Sequence, residues 1–255
     1  MHAVSDEARR RRCAPWRTGG LGAFLLAFAT LAGAAPPDFT GIWRTYRGAG
    51  PFGTDFRASR LEDPPFTEEA RRKVAEYRAL VEPAGDTPGA FCLGTGMPGS
   101  MLGSGAYPME IIQRPEQITI IYEAHTEVRR IYMDGRKVDP RDIVPSRNGF
   151  SVGRWEGDTL VVETTALKEA VDQSTAHSDQ AHIVERYRLS KEADGRKVLT
   201  AEMTMTDPRF YTRPVVLTKR WQAAEEGAMM MHYECNEPQW LDHLDGLREA
   251  AARQE

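Results

Sequence analysis

Two histidines and two acidic residues lie close together near the start of a predicted strand. His177, His182 and Glu185 are the candidate catalytic residues of this cluster, because imidazole and carboxylate groups act as general acids and bases when they reach a substrate. Asp179 and Arg186 carry charges that could orient a polar group of a ligand, and we predict them to be ligand-binding residues. The cluster therefore predicts either acid-base chemistry or ligand recognition.

Residue alternation along the predicted strand 182–189 places Glu185 on a mainly apolar face. Successive strand residues point to opposite faces, so Ile183, Glu185 and Tyr187 share one face and Arg186 lies on the other. A carboxylate on the buried face is costly unless a cation pairs with it. We therefore expect an arginine partner for Glu185 inside the fold.

Arg129 and Arg130 are adjacent on another predicted strand, so at least one of them is expected to point inward. An inward arginine paired with Glu185 has two interpretations, a structural salt bridge or a polar anchor for the carboxylate, phenol or carbonyl group of a ligand. Met97, in a stretch rich in glycine and methionine, is a further candidate ligand contact, because methionine adapts to irregular apolar shapes. Core filling is the alternative role for Met97.

A metal site formed by His177, Asp179 and His182 is chemically feasible, since imidazole and carboxylate suit zinc or manganese. Their spacing matches no metal signature, and the sequence contains no phosphate loop and no serine nucleophile elbow. We predict no metal and no cofactor.

Strand-like segments separated by turns dominate the second half of the chain. The predicted strands are 39–46, 109–114, 117–123, 127–133, 150–155, 158–165, 182–189, 198–206, 215–222 and 229–234. Turns such as Asp134-Gly135 and Glu156-Gly157 are typical of hairpins. The pattern predicts a mainly β fold, an antiparallel meander that closes into a lipocalin-like barrel and so removes its exposed edges. One helix, capped by Thr67, precedes most of the strands, and a second is predicted over 237–253.

Two short motifs at opposite ends of the meander resemble lipocalins. Gly41-Ile42-Trp43 and Lys219-Arg220 are similar to the lipocalin pattern in which an early tryptophan packs beneath a late arginine. The alternative is an ordinary core tryptophan and a solvated arginine.

A longer series of motifs resembles a family of exported bacterial proteins whose activity is uncharacterised. The motifs are Asp38 to Trp43, Cys92-Leu93, Gly96-Met97-Pro98, Glu110 to Gln113, Arg129 to Arg136, Gly153 to Thr164, His177-Ser178-Asp179, Glu185-Arg186 and Asp207-Pro208. The resemblance covers nearly the whole chain after residue 34 and implies export, but it implies no ligand and no catalytic residue. Members often have histidine where this chain has Phe150, which argues against chemistry at that position.

The first 34 residues predict a signal peptide. A basic stretch precedes an apolar core over 21–31 and the small residues Ala32-Gly33-Ala34, so we predict cleavage after Ala34 and a periplasmic or secreted single domain over 35–255. The apolar core is about a dozen residues, shorter than the roughly 20 that span a bilayer, and no later segment predicts an integral membrane helix.

The charge of the mature chain disfavours nucleic acid as a partner. Removing residues 1–34 subtracts five arginines and two acids from 33 basic and 37 acidic residues, which leaves 28 against 35 and a formal net charge of −7. Such a chain repels polyanions.

The cysteines that remain after cleavage are Cys92 and Cys235. A disulfide between them would close a loop of about 140 residues and stabilise the fold by roughly 5 kcal/mol or less on the chain-entropy model. Two free thiols or one reactive thiol are the alternatives.

These observations favour an exported β-barrel that binds a small, partly apolar or aromatic molecule through a few polar anchors. An extracytoplasmic lyase, isomerase or hydrolase that uses His177, His182, Glu185 and an arginine in the same cavity is the second hypothesis. An envelope interaction protein with a solidly packed barrel is the third.

Overall fold

A computed structural model describes residues 35–46, 61, 63–103 and 107–237, and, near the C-terminus, residues 239, 241, 242, 244, 245 and 253. Residues Ala34–Glu255 form one compact unit. The predicted signal peptide over residues 1–34, with its cleavage site after Ala34, lies outside the described residues.

Among the described residues, nine strands form a closed barrel, and this closure agrees with the repeated strand pattern. Each strand pairs with the next along the chain, and the last pairs with the first. The strands are β1 (Gly41–Thr45), β2 (Met109–Gln113), β3 (Gln117–Tyr122), β4 (Glu127–Tyr132), β5 (Phe150–Glu156), β6 (Thr159–Thr165), β7 (His182–Lys191), β8 (Lys197–Thr206) and β9 (Val215–Ala223).

One strand pair corrects the expectation of a wholly antiparallel meander. Strands β4 and β5 are parallel, with Ile131 opposite Ser151 and Tyr132 opposite Val152. An odd number of strands cannot alternate in direction all the way around a closed ring, so a nine-stranded barrel needs at least one parallel contact. The chain makes this contact after the crossover 133–149, because a parallel neighbour requires a long connection.

The period-2 burial pattern explains why these segments form barrel strands. In β3 the buried residues are Ile118, Ile120 and Tyr122, and each alternates with a less buried neighbour. Strand β7 shows the same alternation in its first six residues. The inner set packs into the common core while the outer set faces solvent or covering segments, which is the arrangement that a barrel wall requires.

Two α-helices and four 3-10 turns of the described residues lie between strands. The α-helices are α1 (Glu68–Val81) and α2 (Gly99–Gly103), and the 3-10 turns are Glu82–Ala84, Pro88–Phe91, Ala124–Thr126 and Pro140–Asp142. No helix among the described residues is long and apolar enough to cross a membrane.

Helix α1 buries Ala70 and Val74 in the common core and contacts the loop after β8. The Thr67 side chain caps it by accepting a hydrogen bond from the Ala70 amide at 3.3 Å, and the Thr67 hydroxyl donates to the Arg209 carbonyl at 2.7 Å. The Arg209 guanidinium reaches Glu69 at 2.7 Å. A threonine at this position therefore both starts the helix and joins it to the loop after β8.

One of two predicted segments near the C-terminus differs from the structure. Residues 229–234 form no strand, because Met229 and Met231 are exposed and the Met231 amide donates to a Glu123 carboxylate oxygen at 2.7 Å instead of to a neighbouring strand. Within the helix predicted over 237–253, residues 237, 239, 241, 242, 244 and 245 are helical, and most of the others lie outside the described residues.

The predicted disulfide is confirmed. Cys92 and Cys235 are bonded, with a Cα–Cα distance of 5.5 Å. The bond ties the loop that precedes α2 to the C-terminal segment, across 143 residues of sequence. Two free thiols are thereby excluded.

The arginine of the lipocalin-like motif lies over a tyrosine. The Arg220 guanidinium is 4.2 Å from the centroid of the Tyr46 ring, a favourable cation–π distance. Trp43 is buried in the core and donates through its indole nitrogen to the Phe39 carbonyl at 2.8 Å.

Candidate functional site

A buried arginine-carboxylate pair lies inside the barrel. The arginine partner expected for Glu185 is Arg129, whose Nη1 donates to Glu185 Oε1 at 2.9 Å, while Nη2 donates to Oε2. The side chains are 1% and 0% exposed. Alternation places them there, because Arg129 and Ile131 are the buried positions of β4, as Glu185 is of β7.

Two hydroxyl groups, one from β5 and one from β6, accept hydrogen bonds from the arginine. Arg129 Nε donates to Ser151 Oγ at 3.2 Å, and Nη2 donates to Thr164 Oγ1 at 2.8 Å. Ser151 and Thr164 also lie 2.9 Å apart and share a hydrogen bond. Burial alone would lower the pKa of Arg129, but the charge and hydrogen bonds of Glu185 raise it above its usual value. The guanidinium is therefore held charged by its partners.

Tyr187 completes this cluster. Its hydroxyl donates to Glu185 Oε1 at 2.8 Å, and its ring stacks on Trp221 with centroids 6.4 Å apart. Burial, reinforced by the Glu185 charge, raises the pKa of Tyr187 well above its usual value, so the phenol stays protonated. We call these five residues, Arg129, Ser151, Thr164, Glu185 and Tyr187, the polar centre.

Tyr122 contributes a second buried phenol beside the polar centre. It is 2% exposed, and its hydroxyl has no hydrogen-bond partner among the described residues. Burial raises the pKa of Tyr122, whereas Arg129 lowers it through its charge and through a long hydrogen-bonding contact with the phenol, and the Glu185 charge raises it. The hydroxyl therefore lies beside the guanidinium without a hydrogen bond of normal geometry. A buried polar atom without a partner costs about 1–3 kcal/mol. It marks a position where a further polar group would be favourable.

Residues 94–103, which include α2, enter one end of the barrel, and we call this segment the plug. Met97, Met101 and Leu102 of the plug are buried in the common core. Met101 Sδ lies 3.5 Å from the Tyr187 hydroxyl, and the Leu102 carbonyl accepts from Lys219 Nζ at 3.4 Å. The plug therefore contacts the polar centre through Met101.

Polar side chains from three parts of the fold hold the plug. Glu127 accepts from the Gly96 amide at 2.9 Å and also from the Ser100 hydroxyl. Gln173 donates to the Thr95 carbonyl at 2.6 Å and accepts from the Gly99 amide at 3.1 Å. All but one of the contacts from these two side chains are to backbone groups, and the exception is the Ser100 hydroxyl. The plug is therefore fixed by hydrogen bonds more than by its own helix.

Arg147 supplies the third clamp. Its Nε donates to the Gly94 carbonyl at 2.8 Å and its Nη2 donates to the Thr95 carbonyl at 3.1 Å. Gly96 has a φ of +69°, and a Cβ there would collide with the Arg147 backbone. Only glycine fits this close approach of two chain segments.

His177 lies in a separate buried loop. Its backbone pairs with Ala170, and its Nδ1 is 3.4 Å from the Thr175 carbonyl. Nε2 has no hydrogen-bond partner among the described residues. Burial lowers the pKa of His177, which keeps the imidazole neutral near pH 7.

The neighbour of His177 helps to close this loop. The Ser178 amide and hydroxyl donate to the Asp207 carboxylate at 2.6 and 2.7 Å. Asp207 also accepts from the backbone amides of Arg209 and Phe210, each at 3.1 Å. The motif that contains His177 therefore connects the start of β7 to the end of β8.

The remaining predicted site residues are divided between the two faces of the wall. Met97 is buried in the plug, whereas the side chain of Asp179 is 62% exposed and pairs with Arg209 at 3.2 Å. Arg130 is exposed on β4, and Arg186 pairs with Glu156 at 2.9 Å on the outside. Of the predicted ligand-binding residues, Arg129 and Met97 lie inside the barrel.

The three candidate catalytic residues are not brought together. Glu185 points into the barrel, and His182 lies on the opposite face, 3.9 Å from the Glu163 carboxylate. His177 belongs to the loop before β7. Within the described part of the chain, no three His, Cys, Asp or Glu side chains form a possible metal site.

Several residues of the site are not among the site residues predicted from the sequence. Tyr122 and Tyr187 follow the same alternation that places Glu185 inside, so that pattern could have identified them. The clamps Glu127, Arg147 and Gln173 carry no such signal, because each acts on the backbone of a distant segment.

The comparisons with known proteins give no family. No family model matches the chain, and no curated protein matches it.

Proposed function

We propose that this protein is an exported barrel that binds one small, partly apolar or aromatic molecule in its interior, beside the polar centre. The observation that carries the proposal is the buried Tyr122 hydroxyl without a hydrogen-bond partner among the described residues. The disulfide supports the exported setting, since such bonds persist in oxidising compartments.

The charge balance of the polar centre supports an uncharged ligand group. Glu185 neutralises Arg129, and Ser151, Thr164 and Tyr187 use much of the remaining hydrogen-bonding capacity. A carboxylate brought into this space would be desolvated beside Glu185 at considerable cost. A hydroxyl or carbonyl group can bond to Tyr122 without adding charge, so the proposed ligand carries one such group.

The surroundings of the polar centre suit an apolar body. Met101 and Met97 come from the plug, and the Trp221 ring stacks on Tyr187 from β9. Methionine and aromatic side chains pack against ligands of varied shape. The rest of the ligand therefore contacts apolar atoms.

Entry requires movement of the plug in this proposal. The plug is rich in glycine and is clamped mainly through hydrogen bonds to Glu127, Arg147 and Gln173. Such contacts break at lower cost than the strand pairing of the wall. In the ligand-bound protein, the space that Met101 occupies is shared with the ligand.

The test is a screen of the purified, disulfide-bonded protein. Native mass spectrometry and thermal-shift measurements with a set of phenols, aromatic alcohols and aromatic ketones should give a one-to-one complex and a raised Tm for some members, since binding only to the folded state stabilises it. The carboxylates matched to the best ligands should bind more weakly. Absence of binding by every member of the set would overturn the proposal.

A second candidate is the envelope interaction protein. The observation that favours it is the filling of the described barrel interior by large side chains, including Trp43, Tyr122, Arg129 and Tyr187. In this candidate the barrel is a rigid scaffold and partners bind to its outer surface. Wild-type protein that binds none of the screened molecules but is captured by envelope components would support it.

A further inference from the structure

A cleft on the outside of the barrel is separate from the polar centre. It has a volume of about 430 Å³ and lies between α1, residues 86–93 and residues 169–172. Its walls are largely apolar, from Tyr77, Val81, Pro88, Phe91, Leu93 and Val171. This volume is within the range of roughly 300–1,000 Å³ that is typical of small-molecule sites.

Two large side chains of this cleft are unusually exposed. Phe91 is 63% exposed and Leu93 is 44% exposed, and both border the cleft. Phe91 is the last residue of a 3-10 turn whose C-cap, Cys92, is held by the disulfide. An aromatic ring fixed in this way offers a contact surface for another ring at little further cost in entropy.

An ion pair in which each side chain has one polar atom without a hydrogen bond forms the polar part of the cleft. Arg147 Nη2 lies 2.7 Å from Asp172 Oδ2, and both residues line the cleft. Arg147 Nη1 and Asp172 Oδ1 have no hydrogen-bond partner among the described residues, and neither is among the buried atoms that lack one. Both atoms therefore keep some exposure, one as a donor and the other as an acceptor, on residues whose side chains are 22% and 10% exposed.

The basic and acidic groups beside this ion pair are largely paired, and the acidic Asp86 also lines the cleft. Arg147 and Asp172 compensate each other, and the nearby Glu169 is bonded to Lys73 at 2.6 Å and to Arg209 at 3.2 Å. An anionic ligand group at Arg147 would meet the Asp172 carboxylate, and a cationic group at Asp172 would meet the guanidinium. A neutral group that both accepts and donates avoids each repulsion.

We propose that this cleft binds a small neutral aromatic molecule with a primary amide or lactam group. The carbonyl oxygen accepts from Arg147 Nη1, the N–H donates to Asp172 Oδ1, and the ring packs against Phe91 and Leu93. This site shares no residue with the polar centre, although Arg147 also clamps the plug. A charged benzene derivative is the main competing occupant, and the test includes both signs of charge.

Three probes of equal size and different charge test the proposal. Benzamide is neutral, benzoate is anionic and benzylamine is cationic at pH 7, and each is titrated into isotope-labelled full-length protein by NMR. We expect benzamide to bind most tightly and to shift the signals of Phe91, Leu93 and Val171. Equal or tighter binding of benzoate or benzylamine, or no saturable shifts with benzamide, would refute the assignment.

Matched variants locate the site. Phe91→Ala removes the exposed ring and should weaken benzamide binding about threefold to tenfold. Leu80→Ala removes an even more exposed apolar side chain that does not line the cleft, and it should leave the affinity unchanged. Tyr122→Phe, which alters the barrel interior, should also leave it unchanged, so failure at one site is distinguishable from failure at the other.

One further variant tests the charge argument. Asp172→Asn leaves Arg147 without its compensating charge, so the preference should shift from benzamide towards benzoate. If the ratio of the dissociation constants for benzamide and benzoate stays as in the wild type, the ion pair does not contact the polar group of the ligand and the proposal is wrong.

Discussion

The inner and outer faces of the β6–β7 pair contain the same kinds of charged residues in different environments. On the inner face, Glu185 lies opposite Val162 and binds the buried Arg129. On the outer face, one residue along, Glu163 lies opposite Val184 and binds the exposed Arg154 at 2.6 Å. The comparison shows that strand alternation, rather than residue type, decides whether a charge pair is buried or exposed to solvent. Only removal of one partner of the buried pair is expected to destabilise the fold strongly.

The outer pair belongs to a ladder of solvated ions. Arg154 also bonds Glu156 at 2.9 Å, and Glu156 bonds Arg186 at the same distance. Hydrogen bonds from Arg186 and Arg154 lower the pKa of Glu156. Since water competes for every one of these groups, the ladder contributes little to stability.

The largest expected effect separates the two faces directly. Glu185→Ala leaves Arg129 buried without its counter-ion and should lower the free energy of unfolding by about 3–5 kcal/mol. The matched outer variant, Glu163→Ala, should change it by about 1 kcal/mol or less. Urea denaturation followed by tryptophan fluorescence measures both values. Similar losses for the two variants would remove the distinction between the faces.

A buried and an exposed histidine extend the comparison to pH. Burial, assisted by Arg147, lowers the pKa of His177 below 6.5, although Asp207 opposes the shift. The unfolded chain therefore binds a proton near pH 6.5 that the folded chain does not bind. Stability is fully present above that pH and decreases as the pH falls below it, by up to about 1.4 kcal/mol per pH unit.

Two variants assign this pH dependence. As the pH falls below 6.5, the free energy of unfolding should decrease less in His177→Gln than in the wild type. His182→Gln, on the outer face, should show the same decrease as the wild type. Denaturation series at several pH values give the slopes. Equal slopes in wild type and His177→Gln would mean that another group causes the acid sensitivity.

The smallest expected effect concerns salt. The exposed Arg154–Glu163 pair should contribute about 0.2–1 kcal/mol at low ionic strength and almost nothing in 1 M salt, where the Debye length is about 3 Å. A double-mutant cycle on this pair and another on Arg129–Glu185, each at low and high salt, gives the two coupling energies. The inner coupling should persist in high salt, and its loss would indicate that water reaches the polar centre.

Much of the barrel is predictable from the sequence because strand alternation and turn chemistry are local. The same alternation places Glu185 inside and leads to its arginine partner, although the choice of Arg129 over Arg130 depends on the register of β4, which local pattern leaves open. The failed strand over 229–234 shows the limit of apolar composition, since β1 rather than this segment pairs with β9.

The parallel β4–β5 contact and the plug required information that is not local. The parallel contact follows from closing a ring of nine strands, and the strand number is known only once the segment 229–234 is excluded. The plug depends on Glu127, Arg147 and Gln173, which bond backbone groups far away in sequence. Side chains that bind a distant backbone leave no periodic pattern.

The most direct test of ligand binding in the barrel uses Tyr122. Removing its hydroxyl as Tyr122→Phe should leave stability unchanged or slightly higher, because that atom has no partner among the described residues. Tyr132→Phe is the matched control, since the Tyr132 ring lies against Arg136, 3.9 Å from its guanidinium carbon.

Isothermal titration with the best hydroxyl or carbonyl ligand of the screen then compares the three proteins. The account predicts that Tyr122→Phe loses affinity about threefold to tenfold or more, as expected for one hydrogen bond of about 0.5–1.5 kcal/mol, while Tyr132→Phe binds like the wild type. Unchanged affinity in Tyr122→Phe would contradict binding at the polar centre.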